Sequence, residues 1–216
     1  PAGHNTGLIK LHITMAEQNA FEFQFMVSGV AAALRYVSAK SCSSRPSPDI
    51  FKNPLFDERC GSFGNDPLQL FSKDAQLFST APMVAFRSMV NDLSTNFDLT
   101  TEELATAYYH FENVIRKLNM KTVPFSAVRP LFVACVSVAI KTLDDSGITV
   151  VEISEVLSEL GYNVTPSKVG KMECALLSDG LNFDIHSFTM ETFDIYKNAL
   201  VNEGISLQPT AYSEAG

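Results

Sequence analysis

The sequence predicts an all-α fold, and three observations carry that expectation. From about residue 80 onward, apolar residues recur at helical spacing in one segment after another, and no strand-like alternation interrupts them. Thr100-Thr-Glu-Glu103 and Thr149-Val-Val-Glu152 both have the Thr-x-x-Glu form of a capping box, in which the two side chains satisfy orphan amides at a helix start. One segment, Val133-Ala-Cys-Val-Ser-Val-Ala-Ile140, is apolar or small throughout before it meets Lys141, as expected of the central helix in a bundle.

Each element can be justified in order. Residues 1–14 are mixed, with a short alternating piece at 8–13. Glu17 to Ala39 reads as a helix dense in Phe and Ala, its Phe side chains expected in core packing rather than in a partner groove. Ser41 to Asp66 carries Pro46, Pro48, Pro54, Gly61 and Gly64, too many breakers for regular structure. Pro82 to Asn96 is the first of five closely spaced helices, with Pro at its start. Glu102 to Leu118 is the second, behind its capping box. Ser126 to Leu143 is the third, where Pro130 is tolerable only near the first turn. Val150 to Leu160 is the fourth, closed by Gly161 where a left-handed cap is wanted. Pro166 to Leu181 is the fifth, capped by Thr165. An amphipathic piece, Ser187 to Asn202, follows. Three regions result: an N-terminal extension (1–79), a five-helix unit (80–187) and a C-terminal helix and tail (188–216).

Composition narrows the function. A chain of 216 residues, 46% hydrophobic and 19% charged, can bury one sizeable core. Phe occurs 16 times and Trp is absent, so Phe must supply the large core side chains. The net charge is −8 and the basic residues are scattered, which argues against nucleic acid as a partner. No expected segment has the roughly 20 apolar residues of a bilayer span, and no signal-peptide pattern opens the chain. The expectation is an intracellular protein, cytoplasmic and/or nuclear, with no membrane partner.

Cys42, Cys60, Cys135 and Cys174 lack metal-ligand spacing and are expected to be reduced core residues. No Gly-rich phosphate loop, nucleophile elbow or supported His/Cys pairing is present. No catalytic, cofactor-binding or metal residues are therefore assigned, and the chain is not expected to be an enzyme.

Two polar residues interrupt apolar helices. Lys141 ends the third, followed by Asp144 and Asp145, which read as turn chemistry. Glu173 stands in Lys171-Met-Glu-Cys-Ala-Leu-Leu177 on the fifth. A lone Lys and a lone Glu on neighbouring buried helices suggest a paired, outward-facing anchor in apolar surroundings. That is a docking face rather than a catalytic pocket, although an ordinary surface ion pair would give the same pattern.

Four motifs in order resemble the cyclin box, over residues 80–187. Phe86-Arg-Ser-Met-Val-Asn-Asp-Leu93 places Arg87 five residues before Asp92. Tyr109-His-Phe-Glu-Asn-Val114 offers Glu112 where the family has Asp. Ala139-Ile-Lys-Thr-Leu-Asp-Asp145 closes the third helix. Met172-Glu173 with Asn182-Phe-Asp-Ile185 marks the fifth. A single box with flanking helices looks like the Pho80-like (P/U-type) cyclins.

The resemblance implies a cyclin-box five-helix bundle with flanking N- and C-terminal helices, and a regulatory subunit that binds and activates a cyclin-dependent protein kinase. It implies that Lys141 and Glu173 hold the kinase, and that Arg87 and Glu112 form a buried structural ion pair. The alternative is a cyclin-fold scaffold or transcription-related adaptor that binds no kinase. Two departures stand out. Glu173 to Phe183 is one residue longer than usual and contains Gly180. Leu93 replaces a common Trp and Phe86 changes the rim beside it, so the groove for Arg-x-Leu substrates is expected to be absent or altered.

Overall fold

Helix starts follow the capping signals. In the computed structural model, which describes residues 15–39, 49–57, 81–143, 147–162, 164–185 and 187–208, Thr100 Oγ1 accepts from the Glu103 amide at 3.2 Å. Glu103 Oε2 in return accepts from the Thr100 amide at 2.7 Å. Thr149 and Glu152 repeat the arrangement. The bond from the Thr149 amide holds the Glu152 carboxyl below the usual range.

The helices are α1 (Met15–Val37), a short α2 (Asp49–Lys52), α3 (Pro82–Asn96), α4 (Thr101–Lys117), α5 (Phe125–Leu143), α6 (Val150–Glu159), α7 (Pro166–Ala175) and α8 (Met190–Ser206). A 3-10 turn covers Pro54–Phe56, and a π turn covers Leu176–Gly180. Two-residue strands β1 (Ser38–Ala39) and β2 (Val123–Pro124) pair in parallel, Ser38 opposite Val123, and tie the end of α1 to the start of α5. The fold is an all-α bundle.

Helix α5 is the centre. Every residue from Ala127 to Ile140 is buried. Phe132 meets the Phe111 ring of α4 edge-on at 6.1 Å, and Phe125 meets Phe86 of α3 at 5.8 Å. Among the described helices α5 is the one long and apolar enough to cross a membrane, and 83% of its most apolar stretch is buried inside the bundle. Pro130 falls in the second turn rather than the first, where it withholds the amide that would bond the Ser126 carbonyl.

The flanking helices join the same core. Met26, Val27, Val30, Ala31 and Leu34 of α1 and Leu200 of α8 belong to the one buried cluster. Part of their contact is backbone to backbone, beside an ion pair between Lys197 Nζ and Glu22 Oε1 at 2.7 Å. A Cβ on Gly29 would lie 1.9 Å from the Leu200 carbonyl oxygen, and one on Gly204 would lie 1.8 Å from that of Phe25. Each helix contributes the glycine that the other's backbone requires.

Four sequence expectations need correction. Residues 49–57, expected to be irregular, form α2 and the 3-10 turn, and deliver Ile50, Phe51 and Phe56 to the core. Cys174 is exposed on α7, because Val169, Met172 and Leu176 take that region's inward positions; Cys135 is buried as expected. Helix α1 ends at Val37, where the chain turns extended into β1. The fifth helix does not run regularly to Leu181. After Ala175 the backbone widens, the Leu181 amide bonding the Leu176 carbonyl at 2.8 Å. A π turn accommodates one more residue than a regular helical turn. Gly180 fits there because a Cβ would touch Ile50, Val114 and Leu176 at 3.0–3.2 Å. The expectations for residues 8–13, Cys42, Cys60, Asp144 and Asp145 lie outside the described residues.

Candidate functional site

Helices α5 and α7 pack side by side. The period of α5 buries Val133, Ala134, Val136 and Ile140, and brings Ser137 and Lys141, one turn apart, to the α7 side. On α7, Val169 and Met172 face inward and Glu173 follows at the edge of that face. Lys141 Nζ lies 2.7 Å from Glu173 Oε1 and 2.8 Å from Oε2, so one ammonium is shared by both carboxylate oxygens. Ser137, itself buried, donates to Glu173 Oε1.

The Glu173 side chain keeps 12% of its surface exposed and Lys141 26%. Val133, Ala134, Leu157, Val169 and Met172 surround the carboxylate's inner side. The pair is therefore bonded from below by Ser137 and partly open to water. It has hydrogen-bonding capacity left over, since the ammonium has three donors and the carboxylate about four acceptor positions. Such a pair can exchange hydrogen bonds with a further polar group. It has no nucleophile, no phosphate cradle and no metal set, and among the described residues no group of His, Cys, Asp and Glu lies close enough to hold a metal ion.

Arg87 and Glu112 are not brought together. Arg87 is exposed on α3, and Glu112 sits half-buried on α4 with no ion pair between them. The burial of Ala85, Phe86, Met89, Val90, Leu93 and Ser94 explains this, because that helical stripe turns position 87 to solvent. Asp92 is on the solvent side too, accepting from Ser88 Oγ at 3.2 Å. Glu112 instead accepts a hydrogen bond from the Tyr196 hydroxyl of α8. Burial first, and Glu112 second, push the phenols of Tyr108 and Tyr196 well above their ordinary value. Phe86 and Leu93 are both buried, so neither forms the rim or floor of an open groove.

Several polar residues escaped the sequence reading. Lys117, in the last turn of α4, bonds the Leu181 carbonyl and Asp184 Oδ2, the latter at 3.0 Å. Hydrogen bonding to Lys117 is the main cause holding the Asp184 carboxyl below the usual range. This fastens the unusual turn after α7, where Asn182 and Phe183 both have positive φ, 51° and 56°. Such a conformation in a bulky residue stores on the order of 1–3 kcal/mol of strain, and Phe183 is 68% exposed.

Arg129 is buried in α5 with its guanidinium 5.7 Å from the Tyr162 ring centre. A lone Arg between Val128 and Pro130 in an apolar run was the available signal. His110 is wholly buried on α4, and burial pushes its imidazole down to about 4 against a weaker opposing pull from Asp184.

The fold and site together define an all-α bundle with a partly exposed Lys–Glu ion pair at the edge of its central helix. The chain matches no protein-family model, no curated protein and no solved structure.

Proposed function

We propose that this protein is a cyclin-like regulatory subunit that binds and activates a cyclin-dependent protein kinase, using the face made by α5 and α7. The observation that carries the proposal is the Ser137–Glu173–Lys141 constellation, an ion pair preorganised at the end of an otherwise apolar helix. In support, the cyclin-like motif residues 86–93 lie on α3, 109–114 on α4, 139–143 on α5 and 172–173 on α7, although the Arg87–Glu112 pair that the resemblance implies is not formed. Helices α5 and α7 would pack on the kinase's movable helix and hold its catalytic Glu in place. Lys141 would donate to partner backbone carbonyls, with Glu173 orienting it and accepting from partner amides. Activation would come from tighter binding to the active kinase conformation than to the inactive one.

The test is a double-mutant cycle on kinase affinity and activation. Lys141→Ala and Glu173→Ala should each weaken the complex by about 2–5 kcal/mol, part of it from the stranded partner. The losses should be less than additive. Each free variant should melt close to the parent chain, because the pair is partly solvated there. The protein alone should transfer no phosphate. Additive losses, or losses explained by unfolding, would return the pair to an ordinary ion pair. Failure to bind or activate any cyclin-dependent kinase would leave a scaffold in place of a kinase regulator.

A further inference from the structure

A second surface, on different helices, has its own chemistry. Between α1, α4 and α8 runs a groove of about 700 Å³, within the range of roughly 300–1,000 Å³ typical of ligand sites. Its floor is small: Gly29, Ala32 and Ala33 of α1 and Ala199 of α8. The close Gly29–Leu200 and Gly204–Phe25 contacts keep those two helices together along it. Each helix also raises one large side chain into solvent at the groove, Tyr36 at 88% exposure and Ile195 at 60%. Tyr108 of α4 and Tyr196 of α8 also line it, their ring centres 6.2 Å apart.

The charges here have one sign. Among the described residues that line the groove the ionisable acids are Glu112 and Glu203, and none is Lys, Arg or His. Glu112 takes the Tyr196 hydroxyl and forms no ion pair among the described residues. The nearest cation along α4, Arg116, donates to Asn113 Oδ1 at 3.1 Å and lies 6.0 Å from the Tyr109 ring centre.

These facts limit what can cover the groove. A purely apolar occupant would bury the Glu112 carboxylate without an ion-pair partner, at a large desolvation cost. An acidic occupant would add repulsion. An apolar occupant bearing one cation satisfies both surfaces, since its cation meets the carboxylates and the tyrosine faces while its apolar part covers the alanine floor. The two helices bounding the groove each present an exposed apolar side chain, a channel suited to a length of chain.

We propose that this groove is a docking site for an apolar peptide segment of a partner protein that carries a lysine or arginine side chain. The inference does not rest on kinase binding, because it uses neither Lys141 nor Glu173.

The experiment is selection of a random heptapeptide display library on the full chain, followed by polarization binding of the enriched peptides. Enriched sequences should carry Lys or Arg among aliphatic or aromatic residues. Their binding should be abolished by Ala33→Phe, which fills the floor. Glu203→Lys, an exposed change that leaves the fold intact, should weaken it by about tenfold or more. Glu112→Gln should weaken it in the same direction, and raised salt should do so for the parent chain.

No enrichment, or enrichment of acidic or uncharged sequences, would overturn the proposal. So would peptide binding that survives both Ala33→Phe and Glu203→Lys. Spermidine or tetramethylammonium binding as tightly as the best peptide would assign the groove to a small cation instead. A dimer in sedimentation that Ala33→Phe disrupts would assign it to a second copy of this chain.

Discussion

Helix α5 and the α1–α8 pair join the same core by opposite means. Around α5 the space is filled by large side chains: Phe132, Phe111, Leu131 and Phe86 are all fully or almost fully buried. Between α1 and α8 at the glycine crossings the space is removed altogether, and carbonyl oxygens sit where a Cβ would otherwise be. The first arrangement gains stability from apolar area taken out of water. The second gains it from close backbone approach, and depends on the absence of a side chain rather than on its presence. A filled core loses in proportion to what is cut away, whereas a backbone contact fails outright when anything is added.

Mutation can break that comparison, and the largest effect belongs to the glycines. Gly29→Val should cost on the order of 5 kcal/mol, beyond ordinary overpacking, because the obstacle is backbone and cannot rotate away. Gly29→Ala combined with Gly204→Ala should cost less than the sum of the two, since either alone forces the helices apart. Urea denaturation midpoints measure both. Costs below about 1 kcal/mol would mean that α1 and α8 separate freely.

Phe132→Ala should cost about 3–5 kcal/mol, the usual range for emptying a buried aromatic site. Partial rescue by Phe132→Leu would show that volume is what matters around α5. The same pattern of graded rescue should not appear at Gly29.

His110 sharpens the comparison by adding pH. The folded protein keeps its imidazole neutral down to about 4, while the unfolded chain protonates near the ordinary 6.5. Between those values the unfolded state binds more protons. Stability should therefore be full above pH 6.5 and fall as the pH drops toward 4, by about 3 kcal/mol from this group. His110→Leu should flatten that part of the profile. Denaturation midpoints of both chains at pH 7.5 and 4.5 decide it, and parallel profiles would show that His110 titrates normally.

The smallest effect is expected at Arg87. An exposed side chain with no partner on α4 should change stability by about 0.5 kcal/mol or less when cut to Ala. A drop of several kcal/mol would restore the buried ion pair with Glu112 that the cyclin-like pattern implied.

Much of the fold was legible because it is written in local signals. Thr100, Thr149 and Thr165 mark helix starts through bonds made within one turn, and Gly161, with φ of +84°, marks an end. The apolar run 131–140 pointed to a central helix because water disfavours it on every face. The Lys141–Glu173 pair was legible for the same reason, as charges standing out against apolar helices. Arg87 was misplaced although its own helical stripe of buried neighbours put it on the solvent side.

What the tertiary structure alone decided are the relations between segments far apart in the chain. That Glu112 meets Tyr196 rather than Arg87 depends on how α8 folds back. That Ser137 supports Glu173 depends on the register of α5 against α7. That Gly29 and Gly204 are required depends on which backbone arrives opposite each. A sequence records each residue's local preference, through periodicity and capping, but the partner across an interface is set by the packing of whole helices, which no single segment encodes.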